Sequence, residues 1–322
     1  MEILKKEIKK QFNTDYRDKS VFAENARLLQ SIWRIEKGFP LNSKRGYGNF
    51  LGVEQAYFHE ANFLTPTIKT FVKKEIEKNE NRKGLDKKLI RKDRLYENLL
   101  ASQSLAFNLF SELITSDFQL VNRIFRKIFK DREFDIISID FEISPGRGNN
   151  KYTGDKSAFD VFIKFKGGKG KGFIGIGIKY TETLLDLPAR YKERYKEVAL
   201  LSEKFSNEGI ERLATMPISL EQIWRDHLLA LSMLPPINND YDEGFFVYLY
   251  PKDNTECQIA IDKYLGLLKS ENNSDSSFEV ITMEKLVNEI KTETNNAQWI
   301  LDFEDRYLSF NKIEKYLTQI SN

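Results

Sequence analysis

The stretch Phe173-Ile174-Gly175-Ile176-Gly177-Ile178-Lys179-Tyr180 is a short apolar run with no helical spacing, and it reads as a buried strand. Ahead of it, Lys166-Gly167-Gly168-Lys169-Gly170-Lys171-Gly172 reads as a hairpin loop, and Ala158-Phe159-Asp160-Val161-Phe162-Ile163 as the partner strand. Side chains alternate from face to face along a strand. That period puts Ala158, Asp160, Phe162 and Lys164 on one face of the first strand, and Phe173, Gly175, Gly177 and Lys179 on one face of the second. Pairing across the hairpin then lets Asp160 and Lys179 converge on one cleft, with a glycine at position 177 beside them.

Upstream, residues 135–143 alternate, with Ile137, Ile139, Phe141 and Ile143 on one face and Ser138, Asp140 and Glu142 on the other. A third strand is therefore expected to aim Glu142 at the same cleft. Before the strands the spacing is helical: residues 20–36 carry Val21, Leu28, Leu29, Ile32 and Trp33, and Thr65-Pro66 supply an N-cap and a first-turn proline. One amphipathic helix is expected over residues 95–113 and another over 117–129. Residues 73–94 are dense in charge with lysine and arginine in excess, which suits a solvated face or connector, or less often a phosphate-contacting arm. After the strands come helices over 188–205 and, from a Ser219 and Gln222 capping box, to Met233. Strands at 245–250 and 278–281 and helices at 284–290 and 299–316 complete an α/β pattern. The expected organisation is a helical N-terminal region over 1–94 and a core with C-terminal helical elaborations over 95–322.

Composition narrows the chemistry. The 322 residues are 41% hydrophobic and 13% aromatic, enough for a sizeable core. Lys+Arg 50 against Asp+Glu 48 leaves a formal charge of +2, so any nucleic-acid surface has to be local. One cysteine, Cys257, rules out an internal disulfide and a cysteine-based zinc site, and two histidines, His59 and His227, rule out a multi-histidine metal centre within one chain. The start has no signal-like apolar segment and no apolar run reaches about 18 residues, so the expected location is cytoplasmic with no membrane partner. Walker-type loop, nucleophile elbow and dinucleotide fingerprint are all lacking.

Carboxylate oxygens suit a hard divalent cation, which polarises a phosphoryl group and activates water, and a neighbouring lysine can orient that water. The order helix, strand, Asp160 strand, strand ending in Lys179, helix, strand resembles the PD-(D/E)XK nuclease superfamily. Ser102-Gln103 with Phe107-Asn108, Ser144-Pro145-Gly146-Arg147, Thr153-Gly154-Asp155, Ala158-Phe159-Asp160 and Lys179-Tyr180-Thr181-Glu182 look like a bacterial, restriction-endonuclease-like branch. The likeness extends to Asn62-Phe63-Leu64-Thr65-Pro66 and Leu249-Tyr250-Pro251, nearly the whole chain.

The resemblance implies a mixed central sheet of the restriction-endonuclease-like type flanked by helices. It also implies Asp160 as metal-ligating aspartate, Lys179 as catalytic lysine, and position 177 as the place of a second acid, where this sequence has glycine. Three explanations stand: alteration from glutamate, decay of the position, or a nearby carboxylate taking over, with Glu182 the candidate. Glu142 is a second candidate metal ligand, and Gln103 points into the cleft or caps the core edge. Arg147 binds a phosphate or braces its turn, and Lys169 and Lys171 suit phosphate contact. The resemblance implies Mg²⁺ or Mn²⁺, with binding impaired by Gly177. It also implies DNA as partner with RNA open, a homodimer for cutting both strands, and a role in restriction or phage defence. Metal-dependent endonuclease inactivated at Gly177, and catalytically dead nucleic-acid-binding module, are the two readings.

Overall fold

A computed structural model describes residues 2–130, 132–184, 192–215, 220–269 and 277–321. Five strands form one mixed sheet in the order β1 (Phe134–Ile143), β2 (Phe159–Gly167), β3 (Gly170–Ile178), β4 (Glu243–Tyr250) and β5 (Phe278–Thr282). The first three pair antiparallel, and β3/β4 and β4/β5 pair parallel. Parallel neighbours need crossovers, and helices supply them. Between β3 and β4 lie α7 (Glu193–Ser202), α8 (Asn207–Thr215) and α9 (Glu221–Leu231); between β4 and β5 lies α10 (Thr255–Leu265). The expected helix over 188–205 is thus α7 over a shorter span, residues 185–191 and the Ser219 cap lie outside the described residues, and α8 and α10 went unread.

The other face is covered by α2 (Val21–Glu36), α3 (Pro66–Glu80), α4 (Lys92–Glu97), α5 (Ser102–Thr115), α6 (Phe118–Ile128), α11 (Met283–Glu293) and α12 (Gln298–Tyr307). Their apolar residues, from Phe22 to Tyr307, share one core with Val161, Ile163, Ile174, Ile176, Val247 and Leu249 of the sheet. Phe162, Phe173, Phe246 and Tyr248 pack on the opposite side against α7 to α10. A smaller cluster joins α1 (Glu2–Gln11), α2 and α13 (Asn311–Ser321) through Phe12, Leu29 and Ile313. β3 is buried along nearly its whole length, as a central strand covered on both faces must be.

Local signals set the helix starts. Ser20 accepts from Ala23 N at 3.0 Å and Thr65 from Ile68 N at 3.2 Å. The single helix expected over 95–113 is split into α4 and α5. Tertiary bonds claim the backbone between them: Leu99 N donates to Asn49 O at 2.9 Å and Asn62 Nδ2 to Leu95 O at 2.7 Å. A helix gives way where its backbone groups find other partners.

β1 departs twice from the expected alternation. A bulge between Ile136 and Ser138 inserts a residue, so Ile136 is buried while Ile137 is 58% exposed. Glu142 then takes a left-handed φ of 51°, and Ile143 packs with the second core rather than with Ile139 and Phe141. The hairpin is tighter than expected too, with β2 and β3 paired to Gly167↔Gly170.

Candidate active site

The alternation holds on β3, where Ile174, Ile176 and Ile178 face the first core and Phe173 and Gly177 face the second. It fails at the start of β2, where Phe159, expected on the face opposite Asp160 and Phe162, packs with Phe162 and Phe173 in the second core. The β2/β3 ladder runs to Val161↔Ile176, and beyond it the Asp160 carboxylate replaces a strand partner, Oδ2 accepting from Ile178 N at 2.6 Å. Lys179 follows the last paired residue of β3, its own N–H donating to Leu249 O at 3.0 Å. Its side chain is only 8% exposed, with the ammonium 5.5 Å from the centre of the Tyr248 ring. Burial opposes that charge, but the carboxylates of Asp226, Asp160 and Glu182 outweigh it and raise the Lys179 pKa.

Register places Glu142 opposite Asp160, between the pairs Phe141↔Val161 and Ile143↔Phe159. Its left-handed backbone, a conformation costing on the order of 1–3 kcal/mol, accompanies a side chain held by Gln103, whose Nε2 donates to Glu142 Oε1 at 2.7 Å. Burial first, then the Asp160 charge, raises the Glu142 pKa. Burial raises Asp160 also, against the opposing pull of Lys179 and the Ile178 N–H. Gln103 reaches the cleft and also donates to Leu89 O at 3.3 Å, so it does not serve as a core cap.

Glu182 turns back on its own chain. Its Oε2 accepts from Tyr180 N at 2.8 Å and Thr181 N at 3.1 Å, and Asn254 Nδ2 donates to Glu182 O at 2.9 Å. Arg147 Nη1 donates to Lys87 O, and its Nε is buried without a hydrogen-bond partner among the described residues. Lys169 and Lys171 stand at the opposite end of β3, roughly 25 Å from Lys179 at about 3.3 Å per residue. There Lys169 N donates to Glu243 Oε1, and Lys171 Nζ to Asp240 O at 2.9 Å. A cavity of about 420 Å³ lies at that far end, lined by Phe165, Gly168, Lys169 and Glu243.

Asp226 is the site residue that the sequence did not yield. It sits on α9, 8% exposed, and accepts from Tyr248 OH at 2.8 Å. Burial raises its pKa while Lys179 and Arg225 lower it. Its signal was a carboxylate on the buried stripe of an amphipathic helix, beside Ile223, Trp224 and Leu228. His227, its neighbour, is structural: Nδ1 meets Tyr264 OH at 2.9 Å and Nε2 meets Ser277 Oγ at 3.0 Å.

Gly177 has a packing role that strand propensity alone does not suggest. A Cβ there meets Tyr248 Cε1 at 2.9 Å and Phe246 Cζ at 3.0 Å, so the missing side chain is what lets two rings close over the strand. The cost of glycine in a strand is offset by that contact. The residues do not fit a divalent cation, which takes several oxygens converging from one side. One Asp160 oxygen is given to Ile178 N, Glu142 is held by Gln103, and position 177 offers no ligand. Among the described residues no group of three or more His, Cys, Asp or Glu is placed to hold a metal.

No helix among the described residues is long and apolar enough to cross a membrane. No curated protein and no solved structure matches the chain. A family profile described as the PD-(D/E)XK nuclease superfamily matches residues 15–309, from ahead of α2 to just beyond α12. With Asp160 and Lys179 at one end of a five-stranded mixed sheet, this chain belongs to the PD-(D/E)XK nuclease superfamily.

Proposed function

We propose that this polypeptide is a DNA endonuclease of the metal-dependent kind, of the type used in restriction or phage defence, and that it is silent in phosphodiester cleavage because of Gly177. The observation that carries this reading is the arrangement at the end of β3: the charges of Asp160 and Lys179 lie close enough to act on each other, and ring edges stand beside position 177, where the family has a second acid. In this chain Asp160 fixes the strand end through Ile178, Lys179 supplies a buried cation suited to a phosphate oxygen, and Gln103 orients Glu142. The same ring contacts favour a second reading, a nucleic-acid-binding module that keeps the fold without catalysis.

Gly177→Glu, made alone and together with Tyr248→Leu to vacate the ring edge, tests the first reading. Plasmid cleavage in Mg²⁺ or Mn²⁺ is expected from a restored protein and not from the parent, with folding checked by circular dichroism. Restored proteins that fold, receive metal and remain inert sink the nuclease reading. Duplex binding in Ca²⁺ without cleavage by any form supports the module.

A further inference from the structure

We infer that the segment from Arg82 to Arg94 forms a basic lip of the cleft that grips the phosphate backbone of a nucleic-acid duplex. The inference deepens the proposed function and rests on that reading. The segment carries Arg82, Lys83, Lys87, Lys88, Arg91, Lys92 and Arg94 against only Asp86 and Asp93. It comprises the connector between α3 and α4, with one short 3-10 turn, Gly84–Asp86, and the first turn of α4, and by composition alone it reads as solvated chain.

Its backbone is pinned to the candidate site. Lys87 O accepts from Arg147, and Leu89 O accepts from Gln103, which also holds Glu142. Lys88 between them points inward: its ammonium pairs with Glu75 at 3.0 Å, while its N–H donates to Asn79 Oδ1 at 2.6 Å. Lys88 and Arg94 lie close enough for their charges to act on Glu142. The strip therefore runs along the edge of the cleft rather than away from it.

Pinning the backbone leaves selected cations free. Arg91 and Lys92 are neutralised by Asp93 and Glu80. Arg82, Lys83, Lys87 and Arg94 are exposed, and none of their side chains makes a hydrogen bond or ion pair among the described residues, although the charges of Lys87 and Arg94 act on Glu80 and Glu142. Cations on a fixed backbone beside a phosphodiester site match a polyanion whose charges recur along its length, and each phosphate contact releases counterions. The glycine-lysine hairpin offers no such surface, since Asp240, Asp242 and Glu243 stand around Lys169 and Lys171.

The test is fluorescence anisotropy of a labelled duplex in Ca²⁺ across a salt series. It uses the full chain, the lip variant Lys83→Ala/Lys87→Ala/Arg94→Ala and the hairpin variant Lys166→Ala/Lys169→Ala/Lys171→Ala. The lip variant should bind about 10- to 100-fold more weakly near 0.1 M salt, with the log–log salt slope smaller by about two to three. The hairpin variant should change by less than about 3-fold. A parent that binds, with a lip variant that loses no affinity or loses no more than the hairpin variant, overturns the lip. A parent that binds no duplex at any salt overturns the endonuclease reading and the lip together. Circular dichroism of each variant establishes that it is folded.

Discussion

The two ends of β3 both carry lysine, and they differ in what surrounds it. At the hairpin end Lys171 is exposed, its ammonium bonded to Asp240 O and 4.7 Å from the Tyr241 ring centre. At the other end Lys179 is buried, and the charges that act on it are those of Asp160, Asp226 and Glu182. Solvent screens and satisfies the first charge. The second is held by the field of its neighbours, which is the condition under which an ammonium can act on a phosphate. Lysine count along the chain says nothing of this distinction.

Activity gained by Gly177→Glu would be the largest effect, since it tests whether the Lys179 end lacks one ligand or has become a different site. Stability probes the same contrast. Lys179→Met leaves Asp160 and Asp226 buried without their cation and should cost about 3 kcal/mol in urea unfolding. A loss below about 1 kcal/mol would show that these acids do not depend on Lys179.

Next comes His227, tied to Ser277 on the margin of the hairpin-end cavity. Burial pushes its pKa down to about 3, so the unfolded chain binds the proton more readily and stability rises with pH between the two values. On going from about pH 7 to about pH 5 the protein should lose roughly 2 kcal/mol through this group, and His227→Gln should flatten that part of the profile. A parent profile unchanged by the substitution would remove His227 as its source. The smallest effect is expected at the hairpin itself, where Lys171→Met should shift stability by no more than about 0.5 kcal/mol. A larger loss would mean that the bond to Asp240 O matters more than surface contacts usually do.

Behind the site, residues far apart in sequence hold the end of β3. Tyr180 OH donates to Tyr307 O at 3.1 Å and accepts from Gln30 Nε2 at 3.3 Å. Arg306, fully buried, donates to Gln30 Oε1 at 3.1 Å and to Asn62 O at 2.8 Å, with its guanidinium 4.2 Å from the Trp33 ring. Burial lowers its pKa. Helices on both sides of residue 94 thereby fix the strand that carries Lys179.

Much of this was legible because it is local. Ser20 and Thr65 announce their helices through bonds spanning three residues, and a period of two sorts the residues of β3 between the two cores. Reading failed where a distant group intervened. Asn49 and Asn62 divide α4 from α5, the bulge at Ile136 turns Ile137 outward, and the left-handed Glu142 sends Ile143 to the second core. Asp226 was hidden for the same reason, since nothing within α9 shows that its partner is Tyr248 on β4.

The sequence by itself determined the class of the fold and the pairing of β2 with β3, because alternation and capping depend on neighbours along the chain, while the family resemblance alone marked position 177. Only the tertiary structure decided that Tyr248 and Phe246 fill that gap, that Asp226 joins the cluster, and that the basic segment lies along the cleft. Those outcomes depend on which charges and rings the packing brings within a few ångströms. No period along the chain encodes that.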